Sequence, residues 1–365
     1  MPVHFPTVDA DGHLEENHID WRERLPEKYQ DRAPERRPSG NGQLRTIIEG
    51  KPWPRPGGLG IGVGGPYNRP HPRRPGMTDP HARLADMDSE GIDVAVLFGA
   101  GLSGTLPALD DPGLAAALAI ARNTWLAEYC AADTKRIKGT AALAQQDIRA
   151  SVDELERSVK ELGFVGASLF PNVKGRHLGD PFYFPLYEAA ERLDVPICVH
   201  MFLGRYGSDA AGTDRVDKFF YTHLFGHPFE QMIALSVIIG EGVLDRFPKL
   251  RFVFLESGCG WLPYWLERMD EHYEVLGVQL PELKAEPSEI LKRGQLYFSC
   301  EADEKELGHV IDVIGADWIV FASDYSHFDS RWPGASEPIV AHPTLSDAVK
   351  RKILNDNSRR LYPLE

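Results

Sequence analysis

Short apolar runs alternate with amphipathic stretches along most of the chain. Such runs, bounded by polar residues or glycine, are typical of strands buried in a parallel sheet. They predict eight strands, at residues 5–10, 94–98, 140–144, 165–170, 195–199, 250–255, 296–300 and 318–322.

The stretches between these runs carry apolar residues at helical spacing. In residues 149–162, for example, Val152, Leu155, Val159 and Leu162 form one apolar stripe. The same spacing predicts helices at residues 81–90, 113–131, 181–193, 228–244, 261–276, 304–314 and 346–361. Strands that alternate with helices indicate a parallel sheet with right-handed crossovers.

Eight such units favour an α/β fold of the closed (β/α)8 TIM barrel type over an open sheet. An open doubly wound sheet would carry a glycine-rich phosphate-binding turn after an early strand. The segment after the first predicted strand is Asp11-Gly-His13 and has no such pattern. We therefore predict one barrel domain over residues 1–365.

Two segments interrupt the alternation, one after strand 1 and one after strand 5. Residues 51–80 are dense in proline and glycine, which excludes regular helix and central strands, and residues 201–226 combine glycines with mixed charge. A linker is the alternative for the first segment. Both carry aromatic residues, so we expect inserted loops over or near the active site. These aromatic residues are Trp53, Tyr67, Phe202, Tyr206, Phe219, Phe220 and Tyr221.

The amino-acid composition excludes some classes of binding partner. The formal net charge of −14 over 365 residues argues against nucleic acid and against an anionic membrane surface. The four cysteines form no CxxC pair, as expected for reduced thiols. We find no secretory signal and no apolar run long enough to span a bilayer, so we expect a cytoplasmic protein.

Ionisable residues follow five of the predicted strands at their C-terminal ends, where barrel enzymes place reactive groups. A lone histidine after an apolar run is more often a hydrogen-bonded core residue than a ligand. Five strands that end this way indicate a functional site. The residues are Asp11 and His13 after strand 1, His200 after strand 5, Glu256 after strand 6, Glu301 after strand 7 and Asp324 after strand 8.

A metal site is the chemistry that this pattern favours. Asp11 and His13 lie two residues apart and should share one face of a strand, with Asp9 on the same side but deeper in the barrel. We select Asp11, His13, His200 and Asp324 as ligands of one divalent ion. Two carboxylates and two imidazoles suit zinc, our first choice, and also manganese or iron.

Catalytic roles are predicted for Asp324, Glu256 and His227. Glu256 is a candidate general acid or base; its alternative role is to orient a ligand histidine. Substrate contacts are predicted for a further set, for which a solvated or surface side chain is the alternative. This set comprises Glu16, Arg205, His223, Glu301 and His327.

The chain resembles the amidohydrolase superfamily, in the branch of the aminocarboxymuconate-semialdehyde decarboxylases. The resemblance covers nearly the whole chain except residues 25–78 and 201–226. It implies a (β/α)8 barrel with one catalytic metal bound by the four residues selected above. The matching motifs are Val8-Asp-Ala-Asp-Gly-His13, Asp79-Pro-His-Ala-Arg-Leu-Ala-Asp-Met87, Gly179-Asp-Pro with 195–200, Phe247-Pro-Lys-Leu-Arg251 with Trp265-Leu-Glu-Arg-Met-Asp270, and Ala322-Ser-Asp-Tyr-Ser-His327.

Three departures from the family pattern matter. The familiar first motif of the superfamily is His-x-His, where this chain has Asp11-Gly-His13, close to the Glu-x-His of some aromatic-acid decarboxylases. Decarboxylases of this branch usually carry a histidine after strand 6, where this chain has Glu256. The bridging lysine of two-metal members has no counterpart, since strand 4 ends in Phe170-Pro-Asn172. We therefore expect a mononuclear site.

Three functions remain open. The first is a metal-dependent hydrolase in which a metal-activated water attacks a small organic carbonyl substrate. The aromatic residues of the two insertions suggest that this substrate is aromatic. The second is a non-oxidative decarboxylase, a carboxy-lyase of an aromatic or unsaturated acid, in which Asp324 protonates carbon. The third is a catalytically vestigial binding or assembly barrel. Glu256 favours the first. The expected partners are a small-molecule substrate and further copies of the chain, in a homodimer or higher homo-oligomer.

Overall fold

A ring of eight parallel strands forms the centre of the computed structural model, which describes residues 5–38, 44–53, 74–200, 210–216 and 218–364. Each strand pairs with the next along the chain. The strands are β1 (Val8–Glu15), β2 (Val94–Ala100), β3 (Ile137–Gly139 with Ala141–Ala142), β4 (Ala167–Leu169), β5 (Ile197–Val199), β6 (Phe252–Phe254), β7 (Leu296–Cys300) and β8 (Ile319–Phe321).

Backbone hydrogen bonds connect β1 to the residues that follow β8. His13 N donates to Tyr325 O at 2.7 Å, and Asp324 N donates to Asp11 O at 3.0 Å. These bonds join the two ends of the strand series, so the predicted (β/α)8 barrel is confirmed. They also bring the first and last predicted ligand segments side by side.

Apolar side chains fill the barrel interior below the strand ends. The C-terminal residues Leu361 and Tyr362 belong to this cluster, and the Tyr362 hydroxyl donates to Ala10 O at 3.1 Å. Leu361 and Tyr362 therefore close the barrel at the end opposite the predicted metal ligands. The strands contribute Ala10, Val96, Phe98, Cys198, Val253, Tyr297 and Val320 to the cluster.

Helices surround the strands, and a larger apolar layer packs between the two. Three long helices begin at aspartate caps, because the side chains of Asp79, Asp111 and Asp147 accept backbone N–H groups of the first turn. The long helices are α1 (Pro80–Glu90), α2 (Pro112–Cys130), α3 (Ile148–Lys160), α4 (Phe184–Leu193), α5 (Phe219–Gly240), α6 (Leu262–Leu276) and α7 (Leu307–Ile314).

Shorter elements complete the described chain. Short helices span Glu27–Gln30, Val243–Arg246, Pro287–Leu291, Glu337–Val340, Asp347–Arg351 and Asn357–Leu361, with a π-helical turn at Lys352–Asp356. Short 3-10 helices of one or two turns span Arg22–Arg24, Pro75–Met77, Ser103–Ala108, Pro181–Tyr183, Thr213–Arg215 and Gly277–Gln279. Antiparallel strands occur at Glu35–Pro38, Leu44–Ile48 and Lys51–Trp53, and at Asn172–Val173 with Arg176–His177.

The two predicted insertions are partly outside the described residues, which exclude 54–73, 201–209 and 217. In the first insertion, Lys51–Trp53 is the edge strand of the small antiparallel sheet. In the second, α5 begins at Phe219, well before the predicted start at residue 228, and it continues through Pro228. The placement of either insertion over the active site stays a prediction.

The largest correction concerns β1. The strand was predicted to end at residue 10, but it runs through Asp11 and His13 to Glu15. Its pairing with β2 shifts between Asp9 and Gly12, where β1 has one residue more than its partner. Such a bulge changes the alternation of faces. Asp9 consequently lies on the outer side of the strand, away from Asp11, and not on the shared face that we predicted.

Candidate metal centre

Six acidic and imidazole side chains converge at the C-terminal ends of the strands. The donor atoms of one group of four lie within 4.8 Å of one another, and a second group of four shares two members with the first. The first group is Asp11, His13, His200 and Glu256; the second is His13, Glu256, Asp324 and His327. The predicted ligands therefore do meet, but they divide between two overlapping groups.

His13 lies at the centre of the cluster. Its Nε2 atom is 2.9 Å from Glu256 Oε1, 3.0 Å from Asp324 Oδ1 and 3.5 Å from Asp11 Oδ1. His200 Nε2 approaches the same Asp11 oxygen at 3.5 Å. Several donors thus point at one small volume from β1, β5, β6 and the end of β8.

Unsatisfied atoms concentrate in this volume. Within the described chain, both carboxylate oxygens of Asp11, both ring nitrogens of His13, His200 Nε2 and Asp324 Oδ1 are buried without a hydrogen-bond partner of good geometry. Buried polar atoms seldom remain unpaired, because each costs about 1–3 kcal/mol. Carboxylate oxygens and imidazole nitrogens are ligands for a borderline divalent cation. The residues present therefore fit one divalent ion.

The electrostatics of the cluster agree with a cation site. Burial and the charge of His327 lower the pKa of His13, but Asp11, Asp324 and Glu256 outweigh them and raise it to about 9. Burial raises the pKa of Asp324, whereas His327 and His13 lower it to about 2. The cluster therefore holds ionised carboxylates against protonated imidazoles, and a bound cation would replace those protons.

Two of the carboxylates stand on unusual backbone. Glu256 has φ +58° and Asp324 has φ +49°, in the left-handed region that side-chain-bearing residues rarely adopt. Both lie two or three residues after an apolar strand, and the left-handed residue turns the chain at the point where its carboxylate joins the cluster. Such strain, of about 1–3 kcal/mol per residue, is commonly found at functional sites.

A half-buried glutamate that the sequence did not single out fixes the loop after Glu256. The Glu304 carboxylate, which follows β7, accepts the backbone N–H groups of Cys259 at 2.9 Å and of Gly260. Only the tertiary structure brings Glu304 to this loop. Cys259 Sγ lies 3.3 Å from the same carboxylate, and burial followed by this negative charge raises the pKa of the thiol.

The open side of the cluster lies at Asp324 and His327. Their side chains are 27% and 30% exposed, against 1% for Asp11 and His13. His327 Nδ1 lies 2.8 Å from Asp324 Oδ1, and its ring stacks on that of His13 at 3.9 Å between centroids. We predicted a substrate contact for His327, and the structure also places it among the candidate donors.

The two histidines of α5 line the neighbouring wall. His227 Nε2 lies 3.8 Å from Glu256 Oε2, and its ring centroid is 4.1 Å from that of His223. Burial, followed by the charge of His223, lowers the pKa of His227 to about 3, so this imidazole is neutral. His223 Nε2 is 3.6 Å from Asp329 Oδ2.

Two predicted substrate-binding residues, Glu301 and Glu16, stand apart from the cluster, and a third, Arg205, is outside the described residues. Glu301 is exposed and belongs to neither donor group. Glu16 is fully buried and bonded to Arg122 and Ser103, so its predicted substrate contact is replaced by an internal ion pair.

The chain belongs to the amidohydrolase family. The family model described as Amidohydrolase matches residues 8–364. This result confirms the family resemblance that the sequence motifs carried.

Curated relatives and solved structures add detail. The chain is 27% identical over 296 residues to the 2-amino-3-carboxymuconate-6-semialdehyde decarboxylase of Dictyostelium discoideum, covering 79% of this chain and 77% of the relative. It is 30% identical over 308 residues to the gamma-resorcylate decarboxylase of Rhizobium radiobacter, covering 78% and 86%. The 5-carboxyvanillate decarboxylase of Novosphingobium aromaticivorans, solved with manganese and 4-hydroxy-3-methoxy-5-nitrobenzoic acid, shares the fold with a TM-score of 0.69 at 23% identity, covering 98% and 96%.

These relatives change the balance between the predicted chemistries. They are decarboxylases, so they favour the carboxy-lyase over the hydrolase that the sequence analysis ranked first. They support a divalent metal, but manganese in the solved neighbour gives no support to zinc in particular. No described helix is both long and apolar enough to cross a membrane.

Proposed function

We propose that this protein is a metal-dependent, non-oxidative decarboxylase of an aromatic or unsaturated carboxylic acid. The observation that carries the proposal is the buried donor cluster, in a chain whose relatives at 27% and 30% identity are both decarboxylases. The ion would be held by Asp11, His13 and His200, with Glu256 or Asp324 completing the set. Whether the ion is zinc or manganese is left to metal analysis.

The cluster offers the two functions that decarboxylation requires. When bound, a divalent ion supplies a positive charge that holds the carboxylate or phenolate oxygens of the substrate. The chain supplies the proton that replaces carbon dioxide on the substrate carbon. The bond from carbon to the carboxylate breaks, its electron pair stays on carbon, and that carbon takes up one proton.

His327 and Asp324 are the proposed source of that proton. Burial lowers the pKa of His327, but Asp324 and Glu256 outweigh it and raise the pKa well above the ordinary value. Its Nδ1 atom is 2.8 Å from Asp324 Oδ1, on the exposed side of the cluster. In this proposal one proton moves from His327 through Asp324 to carbon once the two side chains align. Neutral His227 lines the wall nearby, where its catalytic role stays a proposal.

Hydrolysis is the second candidate. The specific observation in its favour is Glu256, a largely buried carboxylate within 4 Å of four histidines, since a general base for water is often such a residue. The small-molecule substrate is part of either proposal. The homo-oligomer and the cytoplasmic location stay predictions.

Product analysis with metal-loaded protein tests the proposal. We expect carbon dioxide release from gamma-resorcylate or from another hydroxybenzoate or amino-substituted unsaturated acid of a small panel. D324N should abolish this release. Metal analysis of the same variant separates the two roles of Asp324, because retained metal would assign it to proton transfer and remove it from the ligand set. Cleavage of ester, lactone or amide substrates without any carbon dioxide release would instead establish hydrolysis. Metal analysis should find about one divalent ion per chain; two ions would contradict the mononuclear site.

A further inference from the structure

A buried polar network lies on the outer face of β1, behind the candidate ligands. Asp9 is fully buried, and its carboxylate accepts the Ser323 backbone N–H at 2.8 Å and the Ser323 hydroxyl at 2.6 Å. The same carboxylate accepts the Asp11 N–H at 3.3 Å. Ser323 directly precedes Asp324, so this one carboxylate bonds to both segments that carry candidate ligands.

Arg83 of α1 completes the network. Its side chain is 1% exposed, and Nη1 donates to the backbone oxygen of His13 at 3.0 Å. Nη2 lies 3.8 Å from Asp9 Oδ2, and the guanidinium carbon lies 3.9 Å from the centroid of the Tyr325 ring. A buried guanidinium thus contacts the backbone of one ligand segment and the ring of the other.

The close approach depends on Gly12. A Cβ atom built on Gly12 would lie 2.2 Å from Arg83 Nη2 and 2.9 Å from Asp9 Oδ2. Any side chain at this position would displace the guanidinium or the strand. The glycine between the two ligands therefore provides the space into which the network packs.

We propose that Asp9 and Arg83 are positioning residues that set the affinity and coordination geometry of the metal site. They contact no donor atom of the cluster. They act through the backbone of Asp11 and His13 on one side and through Ser323 and Tyr325 on the other. Groups that orient metal ligands commonly change metal affinity by about 10–100-fold when they are removed. The inference rests on the metal site of the proposed function and not on the reaction.

Metal binding to the demetallated full-length protein tests this role. D9N is close to isosteric and uncharged, and S323A removes one hydroxyl donor. R83K keeps the positive charge but lacks the planar guanidinium with its several N–H donors. The matched control is E154Q. Glu154 is also a buried carboxylate with several partners, among them Asn123 Nδ2 at 2.7 Å and Arg157 Nε at 2.8 Å, but it belongs to α3 and contacts α2.

Two measurements separate positioning from plain structural support. Calorimetric titration gives the dissociation constant for Mn²⁺, and the visible absorption spectrum of the Co²⁺-loaded protein reports coordination geometry. We expect D9N to weaken Mn²⁺ binding by about 10–100-fold and to change the Co²⁺ spectrum, with S323A and R83K showing smaller changes in the same direction. E154Q should lower the melting temperature and leave both metal readouts as in wild type.

Mn²⁺ affinities within threefold of wild type in D9N and S323A, with unchanged Co²⁺ spectra, would overturn the proposal. An equal loss of affinity in E154Q would also overturn it, because the effect would then follow general destabilisation. If D9N does not fold, the Mn²⁺ affinities and Co²⁺ spectra of S323A and R83K decide whether the proposal stands. Wild-type protein that binds metal without releasing carbon dioxide would overturn the proposed reaction and leave this inference standing.

Discussion

Two buried carboxylates at the end of β1 differ in how they are satisfied. Glu16 accepts Arg122 Nε at 2.8 Å and both the N–H and the hydroxyl of Ser103 at 2.8 Å. Asp11 is equally buried, yet neither of its oxygens has a hydrogen-bond partner within the described residues. Its nearest imidazole nitrogens, on His13 and His200, are 3.5 Å away.

The difference separates a structural acid from a ligand. A buried charge is tolerated when a fixed partner compensates its desolvation, as Arg122 does for Glu16. The fold provides Asp11 with neighbours of the right chemistry but not with hydrogen bonds, which leaves its oxygens available for a cation. Burial and charge alone would not have distinguished the two residues.

The largest expected effect is on the ligand side of this comparison. D11N should weaken Mn²⁺ binding by more than about 100-fold, because the loss of a ligand exceeds the usual loss of an orienting residue. Decarboxylation should fall below detection, and the rise in melting temperature that Mn²⁺ gives wild type should disappear. Titration calorimetry and thermal unfolding with and without Mn²⁺ measure these changes. Retained affinity in D11N would remove Asp11 from the ligand set.

An intermediate effect is expected on the structural side. E16A should lower the free energy of unfolding by about 3–5 kcal/mol, because it leaves the Arg122 guanidinium buried without its counter-charge. Urea unfolding measures this decrease in the free energy of unfolding. The decrease should be smaller in E16Q, because that side chain retains an acceptor for Ser103.

The metal readout decides whether Glu16 is purely structural. The Mn²⁺ dissociation constant of folded E16A should stay within threefold of wild type. A large loss of affinity, or a selective rise in KM with stability unchanged, would return Glu16 to the functional residues.

The smallest effect comes from a buried carboxylate, Glu230, that pairs with no cation within the part of the chain that the structure describes. Glu230 of α5 accepts only the Ala211 N–H among the described residues, and burial raises its pKa. A carboxyl whose folded-state pKa is raised favours folding when protonated. Stability is therefore lost as the pH rises from the unfolded-state pKa through the folded-state pKa.

E230Q should accordingly melt above wild type at pH 8, and the gain should shrink towards zero as the pH falls to 4. Thermal unfolding of the demetallated protein across this range checks the sign, with the exposed Glu267→Gln as control. A gain that is independent of pH, or that grows at low pH, would contradict the prediction.

The sequence predicted most of the architecture because its signals are local. The eight apolar runs and the helical stripes between them depend on spacing within one element, and all eight strands are present. Boundaries were less accurate where tertiary pairing decides them. β3 begins at Ile137 and not at residue 140, and β1 extends past residue 10 because Asp11–Glu15 pairs with β2 and with Tyr325.

The candidate site was predictable to the extent that a barrel collects strand ends. Asp11, His13, His200 and Asp324 converge as expected, since parallel strands place their C-terminal ends on one rim. The membership of Glu256 in a donor group was not predicted. The sequence shows that a carboxylate follows β6, but not that a left-handed residue there directs it at His13.

Taken by itself, the sequence determined the alternation of elements, the family and the residue types at the strand ends, because each is a property of short segments. Only the tertiary structure decided which buried charges are satisfied. Glu16 meets Arg122 and Asp9 meets Ser323 across 106 and 314 residues of sequence. One extra residue in β1 places Asp9 on the opposite face from Asp11. Contacts between residues so far apart in the sequence, and a register shift of one residue, produce no periodic pattern of apolar and polar positions.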